Sequence, residues 1–506
     1  MEIITNMAQG FGFVLGWQPI LFIVLGVIMG ILVGAMPGLS PSMGVALLVP
    51  FTYAMSPTLA LILLVSIYIA ANYGGSITAV TINAPGTPSA VVTSFDGYPL
   101  TKQNKPGMGL GVSLVSSTIG GFIGTIILIL FSVQLAKVAV KFHPAEYFAL
   151  AIFGLTTVAT LGGKNWVKAF IAAMFGLLIN TVGIDPISGV SRFTFGSVHL
   201  YDGFSLIPAL IGLFALSEVF KQIDEQNFKS KKIELEKTQW PTILDYWKLK
   251  LTIIRSSIMG TLIGIFPGAG ATIASFISYD VAKRTSKEPE KFGHGSLEGV
   301  AAAEAANSSS VGGALVPLLT LGIPGSASTA VLIGALMIHD LTPGPQLFNN
   351  NPEIIYGLFA SLLIANIVLL VLGLFGSRLW VKVTAVPKKI LYPMIFTVSI
   401  IGSFAVRYSF FDIAACLGFG VFGWILRRYN YPVAPIVLGI VLGNIAETNF
   451  RRAVMMGDYT IFFTRPVSLI LLALALVSFA WPILQNKIYS KRFKMEKVKT
   501  KKMEEK

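Results

Sequence analysis

From Pro19 to Ile483 the chain passes through one apolar run after another, most of them joined by links of only a few residues. A helix that crosses a bilayer needs roughly 20 predominantly apolar residues, and it must satisfy its own backbone because lipid offers no hydrogen-bond partner. Charged residues make up 12% of the 506 residues, hydrophobic ones 54%, and the mean hydropathy is +0.74. Soluble domains carry about 25% charge. The sequence therefore predicts an all-α, polytopic membrane protein with roughly ten to twelve transmembrane helices.

The net charge of +14 does not point to nucleic acid, because of where it lies. The tail Lys487–Lys506 holds nine Lys and Arg against three Glu. Most other basic residues fall between apolar runs, as the positive-inside rule expects of cytoplasmic loops. Residues 487–506 thus read as a basic cytoplasmic tail able to touch anionic headgroups. Residues 1–18 lack a basic n-region and a small-residue cleavage site, so they read as an interfacial lead-in rather than a signal peptide. The single cysteine, Cys416, sits in an apolar run and reads as packing.

A mixed-charge insert, residues 221–249, divides a first membrane half (19–220) from a second (250–486) and reads as a cytoplasmic linker. The halves repeat. Gly30-Ile-Leu-Val-Gly-Ala-Met-Pro-Gly38 has its counterpart in Gly260-Thr-Leu-Ile-Gly-Ile-Phe-Pro-Gly268. Further on, Ala70-Ala71-Asn72 with Gly74-Gly75 matches Ala305-Ala306-Asn307 with Gly312-Gly313. Pro85-Gly86-Thr87 then matches Pro324-Gly325-Ser326.

Two stretches, Asn72–Pro88 and its counterpart in the second half, look too polar and too broken for ordinary spans. Irregular backbone survives at membrane depth only where protein or a water-filled cavity supports it. Broken helices leave N–H groups and positive dipole ends that suit an anion, and freed carbonyls that suit a cation. Paired breaks at corresponding places in two halves point to a transporter binding site. Lys102 and Lys105 follow the first break, whereas Asp340–Pro352 contains no Lys or Arg. That asymmetry favours an inverted repeat, although Lys283–Lys291 enters the second break from an apparently cytoplasmic side.

Carboxylates at membrane depth are costly and functional by default. Glu298 and Glu304 are the candidates for ion coupling, and Glu304 shares a helix face with Asn307. Asp185 with Arg192, and Glu447 with Arg451 and Arg452, read instead as structural ion pairs.

These motifs are identifiable as a set. Gly34-Ala-Met-Pro-Gly38, Tyr73-Gly-Gly-Ser-Ile-Thr78, Pro85-Gly-Thr-Pro88 and Asp96-Gly-Tyr-Pro99 resemble the large membrane subunit of tripartite tricarboxylate transporters, the TctA family. So do Gly183–Gly196, Phe266-Pro-Gly-Ala-Gly270, Glu304-Ala-Ala-Asn307 through Gly322-Ile-Pro-Gly325, Leu341-Thr-Pro-Gly-Pro345, and Glu447 through Thr464-Arg465-Pro466. The likeness spans roughly residues 15–485, with two departures. Asp340 stands where glycine is expected, and Ser308-Ser309-Ser310 replaces Asn followed by small apolar residues.

The resemblance implies an ion-gradient-driven permease for citrate and other carboxylates in a bacterial inner membrane. It also implies two partners, a small membrane subunit (TctB-like) and an extracytoplasmic solute-binding protein (TctC-like). By carry-over, Asn72, Gly74, Gly75, Ser76, Asn83, Pro85, Gly86 and Thr87 form one wall of the substrate path. Asn307, Gly312, Gly313, Pro324, Gly325 and Ser326 form the other.

No organic cofactor is expected. Na⁺ coupling would use the Asn72 and Asn307 amides with backbone carbonyls, and H⁺ coupling would use Glu304 or Glu298. An enzyme is not expected, because the four histidines are scattered and no His-Glu-x-x-His pattern occurs. A passive anion channel, or a membrane-embedded hydrolase, is the alternative.

Overall fold

Proline opens many of the helices at the first position, where its missing N–H costs nothing and its fixed φ suits the turn. Pro41, Pro57, Pro106, Pro144, Pro345 and Pro352 each begin one. The computed structural model describes residues 2–36, 38–160, 166–224, 239–268, 270–383 and 388–480. The basic tail, most of the linker (225–238), Pro37 and Ala269 lie outside them.

In chain order the first helices are α1 (Glu2–Val14), α2 (Trp17–Ala35), α3 (Pro41–Leu48), α4 (Pro57–Ile82), α5 (Ala90–Lys102) and α6 (Pro106–Ala139). Then come α7 (Pro144–Thr160), α8 (Trp166–Asn180), α9 (Leu206–Ile211) and α10 (Ser217–Asp224), the last two joined by a π-helical segment, Gly212–Leu216. The second half supplies α11 (Ile243–Ile265), α12 (Gly270–Thr285), α13 (Leu297–Leu321), α14 (Ala327–Ile338), α15 (Pro345–Asn350) and α16 (Pro352–Val383). It ends with α17 (Lys388–Arg407), α18 (Phe410–Arg428), α19 (Ala434–Met456), α20 (Ile461–Thr464) and an apolar helix over Pro466–Ala480.

Among the described residues, seven helical stretches are long and apolar enough to cross a membrane: α2, α4, α6, α9 through α10, α16, α17 and α18. The expected ten to twelve exceeds this because other segments fail on one count each. α3, α8, α14 and Pro466–Ala480 are apolar but short. α13 and α19 are long, at 25 and 23 residues, but carry Glu, Asn, Ser or Arg.

Two local expectations are corrected. The Asn72–Ser76 stretch is not broken, since α4 runs through it to Ile82, and neither is its counterpart at Asn307–Gly313, which α13 carries on to Leu321. Gly74 is buried against α2 and Gly75 against Thr87 of the following loop, and close packing there outweighs their weak helix propensity. Conversely, Leu251–Ile277, which by its apolar residues is expected to open the second half as a single segment, is two helices that part at Pro267-Gly268, where Gly268 takes φ +85.

The chain forms two compact units, residues 1–141 with 197–429, and residues 142–196 with 430–506. They are not the two sequence halves, for each half contributes to both. In the first unit α4 and α13 are central. All of α13 from Gly299 to Thr320 is buried, and α4 is nearly so. Helices buried on every side need no amphipathic stripe. The lead-in is a helix, α1, packed on α16, with Gly10 against the Tyr356 carbonyl.

The helices of the first unit also pack in an exchanged pattern. α2 lies on α4 as α11 lies on α13. α6 of the first half packs on α13 of the second, and α16 of the second packs on α4 of the first. α3 meets α14, and α12 meets α5. Interchanging the halves leaves the pattern intact, as a two-fold repeat requires.

In the second unit α19 packs on α7 and α8, with Gly439 of α19 facing Gly176 of α8. Phe148, Phe450 and Phe462 stack beside them. A two-residue hairpin pairs Gly183 with Arg192 and Ile184 with Ser191. This places the two sequence-predicted ion pairs in one network. Asp185 meets Arg451 at 2.6 Å and Arg192 at 3.5 Å, while Glu447 meets Arg192 at 2.5 Å and Arg451 at 2.9 Å.

The Ser188 and Ile187 backbone N–H groups, and then Arg451, hold the Asp185 carboxyl well below the usual carboxylate range. A depressed folded pKa contributes stability above the unfolded value, near 3.9, and that contribution is lost as the pH falls further. Thermal unfolding followed from pH 7 to pH 3 should therefore decline more steeply below about pH 4 in the native chain than in Asp185→Asn. Equal declines would remove Asp185 from the acid response.

Candidate functional site

Each central helix ends on a residue in the left-handed conformation and is followed by a Pro-Gly loop. α4 ends at Asn83 (φ 53) before Pro85-Gly86, and α13 ends at Gly322 (φ 72) before Pro324-Gly325. A second helix restarts directly after each loop: α5 after Thr87 and Ser89, α14 after Ser326. Ser326 caps α14 through a reciprocal pair, accepting from the Thr329 N–H and donating its own N–H to the Thr329 hydroxyl.

Contacts fix how the halves correspond. Gly30 and Gly34 of α2 press on the carbonyls of Ile67 and Ala71, while Gly260 and Gly264 of α11 press on those of Ala306 and Ser310. Gly74 faces back onto Ile31, and Gly313 onto Thr261. Gly86 sits against Gly75, and Gly325 against Ala314. Every pair across α4 and α13 has the same offset, 239 residues (67 to 306, 74 to 313, 86 to 325). Asn83 then matches Gly322, which explains their shared left-handed backbone.

The sequence pairing of Asn72 with Asn307 is thus one helical turn out. Asn72 corresponds to Val311, Asn307 to Tyr68, and Gly312 to Tyr73. The two asparagines do not mirror each other; they meet. Asn307 Nδ2 donates to the Asn72 carbonyl at 3.1 Å, and Asn72 Nδ2 donates to the Tyr68 carbonyl at 2.8 Å. Tyr68 Oη in turn lies 2.9 Å from Ser326 Oγ, linking the first central helix to the second loop.

The remaining predicted residues divide by role. Gly86 donates its N–H to the Gly75 carbonyl at 3.1 Å, pinning the first loop, and the Gly325 carbonyl accepts from the Gly268 N–H at 2.9 Å, pinning the second. Gly74, Gly312 and Gly313 are packing contacts, Gly312 against Gly124 of α6. Thr87 is buried with its hydroxyl 3.1 Å from that of Ser89. Asn83 is exposed, while Pro85 is partly and Pro324 fully buried. Ser76 bonds Ser113 of α6 at 2.8 Å. Pro317, inside α13, leaves the Gly313 carbonyl without its helical donor.

The two glutamates part company. Glu298 is partly buried in the first turn of α13, where the helix dipole favours it, and accepts from Thr252 and Ser286 at 2.7 Å each. Glu304 is fully buried nearly two turns on. It accepts from Thr93 of α5 through Oε1 and from Ser117 of α6 through Oε2 at 2.8 Å. Thr93 and Ser117 were not legible as site residues, although the Ser113–Ser117 spacing puts hydroxyls on one face of an apolar helix.

Asp96, marked only by its motif, is also fully buried. Its Oδ1 accepts the N–H groups of Gly293, Gly295 and Ser296 at 2.8 to 2.9 Å, and its Oδ2 accepts the Tyr279 hydroxyl at 2.8 Å. The departures have simple accounts. Asp340 adopts φ +55, the conformation that makes glycine the usual residue there. Ser309 and Ser310 lie where Gly124, Gly260 and Gly264 approach α13, so a small side chain suffices.

The model of the tripartite tricarboxylate transporter TctA family matches residues 20–438 of this chain. An "uncharacterized 52.8 kDa protein in TAR-I ttuC' 3'region" of Agrobacterium vitis is 37% identical over 497 residues, 98% of this chain and 99% of the relative. An "uncharacterized protein in TAR-II ttuC' 3'region" of the same organism is 40% identical over 235 residues, 46% of this chain and 97% of the relative. No solved structure matches. On the family model, the near full-length relative and the motifs placed above, the chain belongs to the tripartite tricarboxylate transporter TctA family.

Proposed function

We propose that this chain is the permease of a secondary transporter for small organic anions, di- and tricarboxylates such as citrate. It moves them by alternating access, driven by a Na⁺ or H⁺ gradient. It works in a bacterial inner membrane with its C-terminus in the cytoplasm, beside a small membrane subunit and an extracytoplasmic solute-binding protein. It is not an enzyme.

The observation that carries the reading is the pair of Pro-Gly loops, each opening a helix N-terminus, that follow two central helices tied together by the Asn307–Asn72 contact, with Tyr68 of the first reaching Ser326 of the second loop. The positive end of a helix dipole favours carboxylates, and the Thr87, Ser89 and Ser326 hydroxyls stand at those two ends. Halves that exchange packing roles are what a rocking transporter uses to expose one site to either side in turn.

The test is uptake of labelled di- and tricarboxylates into proteoliposomes holding this chain, its small subunit and its binding protein. Accumulation above the equilibrium level under an imposed Na⁺ or H⁺ gradient supports the reading. Flux that ignores both gradients makes the chain a channel, and no flux of any carboxylate overturns the substrate class.

A further inference from the structure

Six carboxylates are buried among the described residues: Asp96, Glu146, Asp185, Glu218, Glu304 and Asp412. Four face arginine: Glu146 with Arg465, Asp185 with Arg451, Glu218 with Arg427, and Asp412 with Arg407. Asp96 is met by three backbone N–H groups and a tyrosine hydroxyl. Glu304 is the exception, with the hydroxyls of Thr93 and Ser117 as its bonded partners, and the Ser76 hydroxyl and Asn307 amide beside it. An ionised carboxylate removed from water and left without a positive partner is prohibitively costly.

A second observation points the same way. Asn307 Oδ1 is buried with no hydrogen-bond partner, although its Nδ2 is used on Asn72. Asn307 follows Glu304 by three residues, on the same face of α13. Hydroxyls that donate to a carboxylate keep lone pairs for a cation. Carboxylate and hydroxyl oxygens from α4, α5, α6 and α13 thus converge beside the Asn307 amide, and among the described residues no cationic side chain pairs with Glu304.

We propose that Glu304, with Asn307 Oδ1 and the hydroxyls of Thr93 and Ser117, holds one Na⁺ ion. One carboxylate balances one monovalent charge, and oxygen-only ligands suit a hard cation. The site is not duplicated, because the 239-residue offset puts Val65 opposite Glu304. One ion binds per chain. Its coupling role rests on the transport reading: Thr93 belongs to the helix that starts at the first Pro-Gly loop, so loading the ion ties that helix to α13.

Binding is measured without substrate or partners, as saturable ²²Na⁺ capture by the purified full chain in lipid nanodiscs. The native chain should bind a single class of Na⁺ that unlabelled Na⁺ displaces and choline does not. Glu304→Gln should weaken it by at least about tenfold, and Thr93→Val and Asn307→Leu by several-fold, each variant scored only if monodisperse. Should Glu304→Gln not fold, the other two variants carry the test.

No saturable Na⁺ binding by the native chain would overturn the site, leaving a proton as the neutralising charge. Undiminished binding in these variants would overturn it equally. Na⁺ binding without any carboxylate uptake would overturn the transport reading and leave the site standing.

Discussion

Alanine at Gly86 should, on the proposed function, lower ion-driven uptake by at least about a hundredfold, because displacing a loop on the proposed substrate path by an ångström is enough for losses of that size. The Gly86 backbone lies so close to α2 that an added Cβ would overlap the Gly34 carbonyl oxygen and crowd Gly75. Neither neighbour can yield cheaply. Gly34 is itself pressed on Ala71, and Gly75 accepts the Gly86 N–H. The loop must move outward, which breaks that bond and tilts the start of α5. Overpacking of this kind costs about 1–3 kcal/mol, which a large membrane domain can survive. Gly418→Ala in α18, where a Cβ meets nothing within 4 Å, is the control and should transport normally. Uptake in reconstituted vesicles, normalised to monodisperse protein, decides the matter, and native rates in Gly86→Ala would remove the loop from the transport path.

Asp96→Ala should have the largest effect on stability. Removing the carboxylate takes the acceptor from three backbone N–H groups and the Tyr279 hydroxyl, the Ser296 N–H buried and the others partly so. Each unsatisfied buried donor costs about 1–3 kcal/mol, so a total loss of roughly 3 kcal/mol or more is expected. Gly293 (φ 88) and Gly295 (φ 107) take left-handed backbone conformations that let both N–H groups reach the same carboxylate oxygen. Asp96→Asn keeps an acceptor but loses the charge, so it should fall between the native chain and Asp96→Ala. The measurement is the temperature at which half the purified protein loses monodispersity. Equal midpoints for all three proteins would mean that the 293–296 loop is held by something else. Because Asp96 lies in the first half and that loop in the second, the same variants report on how firmly the halves are joined.

Much of this architecture is legible in the sequence. Apolar length and scarce charge determined a helical membrane protein, because lipid tolerates little else. The paired Met36-Pro37-Gly38 and Phe266-Pro267-Gly268 segments, with Pro85-Gly86 and Pro324-Gly325, determined a two-fold repeat and the loops at its centre. Proline and glycine act through their own backbones, so their meaning is local and can be read from sequence.

Register and partnership were not legible. Asn72 and Asn307 looked equivalent because each follows two alanines, yet helix packing displaces them by a turn. Glu304 and Glu298 looked alike as well. Only the fold brings Thr93 and Ser117 to one of them and leaves the other at a half-exposed helix start. Likewise Asp185 and Glu447 each suggested a local ion pair, and tertiary structure joined them through Arg192 and Arg451. A side chain's identity limits what it can bond, but which groups lie within 3 Å depends on how helices distant in sequence cross. The sequence by itself marked the Pro-Gly loops at which the central helices end; the crossing of α4, α5, α6 and α13 alone decided which buried carboxylate is met by side-chain hydroxyls instead of arginine or backbone N–H groups.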